Sequence, residues 1–237
     1  GLYNEHHQFN VHAGNFNPPY GEACVELIKK ANSGGYRDHP LNWQEAFDMG
    51  GSYTTKPVAQ AIIDGVNERT PEGSASVSTL AFGNAFVTGK TIWDAPETED
   101  EYKLWEGYVL YMAKLTKNKK FELWNEPNLN SYSTEDKYPL YVELARRTAK
   151  VLHEYDPSIK LGVGCIAAPD EEERGWKFMR GLAECGIFDV DIDAITLHPY
   201  TRVPEARIKM AEEYRQFFKE NGRDDLELWY TEYSYTL

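Results

Sequence analysis

Long hydrophobic runs are missing from this chain. No apolar stretch approaches the roughly 20 residues that a membrane-spanning helix needs, so the sequence offers no helical span. Cysteine is scarce: Cys24, Cys165 and Cys185 make no disulfide framework and no C-x-x-C pair of the kind that holds zinc. Basic charge is in deficit, with 25 Lys and Arg against 38 Asp and Glu and a formal net charge of −13. Nucleic acids and anionic membranes are met with basic patches, and both are disfavoured as partners. A neutral substrate is favoured only weakly, since acidic surfaces also serve solubility. No G-x-G-x-x-G or G-x-x-x-x-G-K-[ST] loop opens a helix, which weakens nucleotide-binding readings. Internal repeats, low-complexity tracts and linkers are absent as well, and one domain over residues 1–237 is expected. Gly1 is not an initiator Met and no charged-then-apolar leader follows it, so the expected start is processed or trimmed.

What is present is an α/β pattern on a chain long enough for one large core. Strands are expected at 9–12, 35–39, 76–82, 120–126, 160–167, 193–200 and 226–234. Several, such as Ala194-Ile195-Thr196-Leu197, are continuously apolar, as strands buried on both faces require. Between them lie amphipathic helical stretches at 23–31, 58–66, 102–115, 140–152, 176–183 and 206–218, with apolar residues three or four apart. Strict alternation predicts a parallel sheet, either open and doubly wound or closed as a (β/α)8 TIM barrel. The strand ends decide for the barrel, because barrels carry function at the C-terminal ends of strands. Those ends read Val11-His12, Arg37-Asp38-His39, Gly83-Asn84, Trp124-Asn125-Glu126, His198-Pro199-Tyr200 and Thr231-Glu232. Only the fifth, Gly164-Cys165-Ile166-Ala167, offers little chemistry.

The sharpest string is Phe121-Glu122-Leu123-Trp124-Asn125-Glu126-Pro127-Asn128. A buried strand there runs into an amide, a carboxylate and a strand-stopping proline. A carboxyl partly withdrawn from water keeps its proton, the property a general acid needs, and Glu126 is placed for that role. Asn125 can both donate to and accept from a sugar hydroxyl. The second carboxylate, Glu232, ends the apolar run Leu228-Trp229-Tyr230-Thr231. In a closed barrel the fourth and seventh strand ends face each other, so Glu126 and Glu232 can serve one glycosidic bond as acid and nucleophile. A carboxyl separation of roughly 5–5.5 Å would mean retention and about 9 Å inversion.

His198 and Tyr200 are either a packed pair or donors that orient Glu232 and keep it ionised. Arg37 is either a surface arginine or a counter-charge for Glu232. His12 and Asn84 are weaker candidates for substrate hydroxyls. Trp43, Trp93 and Trp124 are stacking platforms for flat sugar rings or core residues, and the 14% aromatic content fits both. The acidic stretches around Glu97–Glu101 and Glu171–Glu173 read as solvated helix starts. A metal-dependent reading through His12, His39 and His198 is poor, because no H-x-H pair ends the first strand.

Trp124-Asn125-Glu126-Pro127-Asn128, His198-Pro199-Tyr200 and Thr231-Glu232 together resemble clan A of the glycoside hydrolases. The resemblance is strongest to family 39, the β-xylosidase and α-L-iduronidase type, with family 5 next. It implies a retaining β-glycosidase with Glu126 as acid/base and Glu232 as nucleophile. Asn125 would contact the sugar 2-hydroxyl, and His198 and Tyr200 would flank the nucleophile. It also implies a carbohydrate substrate, no metal or organic cofactor, and a secreted or periplasmic location. The pattern departs from the family at its end: the chain stops five residues after Glu232, so the eighth βα unit is expected to be missing. That departure keeps open a carbohydrate-binding protein on a degenerate barrel. Oligomeric state is not readable from the sequence.

Overall fold

A short apolar strand can enter a core only if its backbone N–H and C=O groups are paired, and seven such strands pair here. The computed structural model describes residues 4–11, 23, 26, 30, 33–48, 50–69, 76–200 and 203–233. The strands are β1 (Asn4–Val11), β2 (Ser33–Asp38), β3 (Val77–Leu80), β4 (Lys120–Leu123), β5 (Lys160–Ala167), β6 (Ala194–His198) and β7 (Glu227–Tyr230). They form one sheet in chain order, and every neighbouring pair is parallel. The register aligns their C-terminal ends: Leu80 lies opposite Leu123, Ala167 opposite His198, and Leu197 opposite Tyr230.

The sheet is curled. β2 and β7 stand five strands apart, which in a flat sheet would separate them by about 24 Å at roughly 4.8 Å per strand. Instead Arg37 on β2 bonds Glu232, just past β7, at 2.7 Å. Only a sheet rolled toward a barrel brings those ends together. Inside the curl space is tight: a Cβ on Gly162 of β5 would sit 2.5 Å from Thr196 Cγ2 and 2.8 Å from the Trp229 ring.

Helices cover the outer face: α1 (Trp43–Ala46), α2 (Pro57–Arg69), α3 (Ala85–Thr88), α4 (Glu99–Leu115), α5 (Tyr138–Tyr155), α6 (Lys177–Glu184) and α7 (Pro204–Glu220). α4 begins at a Thr98–Glu101 capping box with Glu99, Asp100 and Glu101 in its first turn, where negative charge suits the helix dipole. Its Tyr102, Trp105, Tyr108, Val109 and Met112 are buried. Full burial of each large apolar side chain contributes about 1.5–3 kcal/mol over exposure. Trp105 Nε1 donates to Thr148 of α5 at 2.9 Å. Tyr141 of α5 donates to Leu123 O and accepts from Gly164 N, tying the ends of β4 and β5 to one helix.

The structure adds the short α1 and α3 and a π-helical turn, Glu172–Trp176, before α6. Of the helix expected at 23–31, Ala23, Glu26 and Lys30 are helical and exposed. Ala23 therefore lies on the polar side of that helix and not on its apolar stripe. Among the described residues no helix is long and apolar enough to cross a membrane.

Candidate active site

The end of β4 sets the site. Leu80 O takes the backbone N–H of Trp124, and the chain then leaves extended geometry, with Trp124 at φ 67° and Glu126 at φ 47°. Left-handed backbone is uncommon for such residues and breaks the strand's two-residue alternation. Trp124 consequently packs on Trp105 of α4 and on Tyr132, at centroid distances of 6.0 and 5.4 Å. It is fully buried, so Trp124 is a core residue and not the stacking platform it could have been. Trp43 is likewise buried, edge-on to Trp105. Trp93 remains 46% exposed. Past Glu126, Asn128 clamps Ala167 at the end of β5: its Nδ2 donates to Ala167 O and its Oδ1 accepts from Ala167 N.

The two glutamates of the sequence motifs meet. One carboxylate oxygen of Glu126, one of Glu232 and a ring nitrogen of His198 all lie within 4.8 Å of one another. His198, fully buried at the end of β6, places Nδ1 2.9 Å from Glu126 Oε1 and 3.7 Å from Glu232 Oε2. Of the two sixth-strand candidates, then, His198 sits closer to Glu126. Tyr200 is the donor to Glu232, its hydroxyl 2.6 Å from Oε2. Removal from water and that carboxylate together push the Tyr200 phenol up.

Beneath the pair lies Arg37, 1% exposed and not a surface residue. It donates to Glu232 Oε1 at 2.7 Å, to Asn125 Oδ1 at 2.9 Å and to Glu122 Oε2 at 2.7 Å. Burial works against its charge, but Glu122 and then Cys165 and Glu232 more than reverse that, and its pKa is raised. With the guanidinium taken up by these partners, Arg37 holds the carboxylates from below.

Two members of the site were not singled out in the sequence. Glu122 lies fully buried in β4, where burial alone would raise its pKa. The charge of Arg37, then His198 and the hydroxyls of Thr231 and Thr196, outweigh burial and hold its carboxyl below the usual range. A charge in the middle of an apolar strand was the available signal. Cys165 sits on the fifth strand end that seemed empty of chemistry. Its Sγ is 3.2 Å from His198 Nε2, 3.6 Å from Arg37 and 3.9 Å from Asn125 Oδ1. Burial, then the charge of Glu122, pushes this thiol well up. The register shift between Val163 and Ile166, with positive φ at Gly164 and Cys165, is a bulge, a device that re-aims a side chain.

Asn84 is fully buried; its Oδ1 caps α3 by accepting from Phe86 N at 3.0 Å, and its Nδ2 has no hydrogen-bond partner among the described residues. His12 lies outside the described residues. Among the described residues two side-chain groups have metal-compatible spacing, Glu122–Cys165–His198 and Glu126–His198–Glu232; His39 belongs to neither. In the first, Arg37 already pairs with Glu122 and touches the thiol, so a cation there would meet a fixed positive charge. The second is the carboxylate pair itself.

No family model and no curated protein matches the chain. Solved structures do. A GH39 β-xylosidase from Caulobacter crescentus aligns with 98% of this chain and 54% of its own, at TM-score 0.69 and 16% identity. A glucosidase from Croceicoccus marinus gives TM-score 0.70 and 15% identity over 98% of this chain and 52% of its own. A GH5-4 broad-specificity endoglucanase from Clostridium acetobutylicum gives 0.60 and 14%, over 96% of this chain and 79% of its own. The chain spans about half the length of the first two. At such identities the likeness is one of fold, and the resemblance to glycoside hydrolase families 39 and 5 holds at that level: this is the parallel-strand scaffold of a partial TIM barrel.

Proposed function

We propose that the chain is the greater part of one catalytic barrel domain of a retaining β-glycoside hydrolase of clan A, closest in type to family 39. An eighth βα unit would close the barrel. The observation that carries the proposal is the approach of one Glu126 oxygen and one Glu232 oxygen to within 4.8 Å. That approach supports retention, for which the two carboxyls lie roughly 5–5.5 Å apart, over inversion at roughly 6.5–9.5 Å. Glu232, held by Arg37 on Oε1 and by Tyr200 on Oε2, attacks the anomeric carbon. The bond to the leaving oxygen breaks as Glu126 gives that oxygen its proton. Water then attacks the same carbon, yields a proton to Glu126, and frees the sugar from Glu232. Asn125, fixed by Arg37, presents its amide toward a ring hydroxyl. The substrate is a carbohydrate, and no metal or organic cofactor enters these steps.

The test is release of p-nitrophenol from a panel of aryl β-glycosides, with the first-formed anomer read by NMR. We expect turnover with the β-anomer formed first, and a loss of about 10³-fold or more in Glu232→Gln. Formation of the α-anomer first would refute retention. Tight sugar binding by a folded chain that turns over none of the panel would favour a lectin-like role.

A further inference from the structure

Cys165 has no part in the steps above, yet among the described residues its Sγ is what meets the far nitrogen of His198, at 3.2 Å. We infer that the Cys165 thiol fixes the tautomer of His198, and through it determines which oxygen of Glu126 carries the acid proton. The thiol has one hydrogen to give and two acceptors within hydrogen-bond reach, a Glu122 oxygen lying farther off but within 4.8 Å. Asn125 Oδ1 is 3.9 Å away and already accepts from Arg37 at 2.9 Å. His198 Nε2 is 3.2 Å away. The Arg37 guanidinium, 3.6 Å from the sulfur on its other contact, can only donate, and so occupies a sulfur lone pair. We assign the S–H to Nε2, the nearer of the two acceptors, which then accepts.

An imidazole whose Nε2 accepts carries its hydrogen on Nδ1. That hydrogen faces Glu126 Oε1 at 2.9 Å, so Oε1 accepts. When Glu126 holds a proton, it is on Oε2. The buried line Cys165–His198–Glu126 thus has a fixed polarity that starts at a neutral sulfur. Burial keeps the Cys165 thiol protonated, so it can serve here as the donor. Cys165 is in this sense a positioning residue: it acts on the substrate only through His198. The consequence for the acid proton rests on the function proposed above; the tautomer does not.

The experiment is ¹⁵N NMR of the full chain labelled in histidine, with His198 assigned by loss of its signals in His198→Asn. We expect Nδ1 protonated and Nε2 bare in the parent, a mixture of both tautomers in Cys165→Ala, and recovery of the parent pattern in Cys165→Ser, whose hydroxyl can also donate. A parent His198 protonated on Nε2, or a pattern unchanged in Cys165→Ala, overturns the inference. Kinetics add a second readout. With an alkyl glycoside, whose leaving group needs the acid, Cys165→Ala should lose about tenfold in kcat, a fraction of the 10²–10⁴ a general acid supplies. With p-nitrophenyl glycosides, which leave with little help, the loss should be under twofold. Equal losses on both would mean the thiol only packs. A chain inactive on every glycoside would fail the proposed function while leaving the NMR result to decide the tautomer.

Discussion

Replacing Arg37 with methionine keeps a long unbranched side chain under the site but removes the charge that holds Glu122. Glu122 is fully buried, and its carboxylate lies 2.6–2.7 Å from the Arg37 nitrogens. Breaking a buried pair by removing one partner costs about 3–5 kcal/mol, because the other charge is left without compensation. Glu232, the other ion-pair partner, is 17% exposed in its side chain, so water replaces much of what Arg37 gave it and adds little to that figure. At about 2–4 °C per kcal/mol for a chain of this size, the melting temperature should fall by roughly 6–20 °C. The pH dependence gives the sharper test. In the parent, Arg37 holds the Glu122 carboxyl below its unfolded value. The pair's stabilisation is therefore complete above that value, about 4.3, and is lost as pH falls through the lower folded one. In Arg37→Met, burial raises the Glu122 pKa, so the variant is least penalised at low pH and loses stability as pH rises. Urea unfolding followed by circular dichroism should show a gap between the two proteins that is widest at pH 7.5 and narrows toward pH 5. Arg37→Met combined with Glu122→Gln should recover most of the loss. A gap below 1 kcal/mol at pH 7.5, or the same gap at both pH values, would refute the reasoning and mean that water reaches Glu122.

Tyr200→Phe removes the hydroxyl that donates to Glu232 Oε2; with Tyr200 itself 54% exposed, we expect about a tenfold loss of kcat/KM on aryl glycosides, near the lower end for hydrogen bonds to charged groups, and an unchanged melting temperature. Gly162→Ala pushes a methyl to within 2.5 Å of Thr196 Cγ2 and should cost about 1–3 kcal/mol of stability as an overpacked core, read by urea unfolding; a neutral result would mean that β6 moves freely against β5.

The sequence made some of this legible for physical reasons. Glu126 and Glu232 stood out because a carboxylate that ends an apolar run cannot belong to the core pattern. Parallel strands in chain order followed from the alternation of two hydrophobic periods. Glu122 was hidden in the same string as Glu126, because its counter-ion is 85 residues away and only the curl of the sheet brings them together. Cys165 read as apolar because a cysteine among Gly, Ile and Ala carries no polar pattern. Its contacts with His198 and Arg37 come from a bulge that no spacing announces. Trp124 had the composition of a platform, and its left-handed backbone sends the ring into the helix layer. For Arg37 the sequence leaves open a surface arginine or a counter-charge for Glu232; the structure buries it against Glu232, and its bond to Glu122 has no sequence signal.

Glu122 and Glu232 share Arg37, the one permanent cation that touches them among the described residues, while the nearby Glu126 meets His198 instead. Like charges so close repel, so the arrangement that would perform chemistry also strains the folded state. Neutralising Glu126 relieves the repulsion its charge adds and leaves both ion pairs of Arg37 whole, whereas neutralising Glu232 also gives up its 2.7 Å pair with Arg37. Stabilising changes of this kind are commonly paid for in function. On the function proposed above, a screen that ranks variants of this protein by thermal tolerance would favour chains lacking the Glu126 acid, and thermostability would be a misleading proxy for a working site.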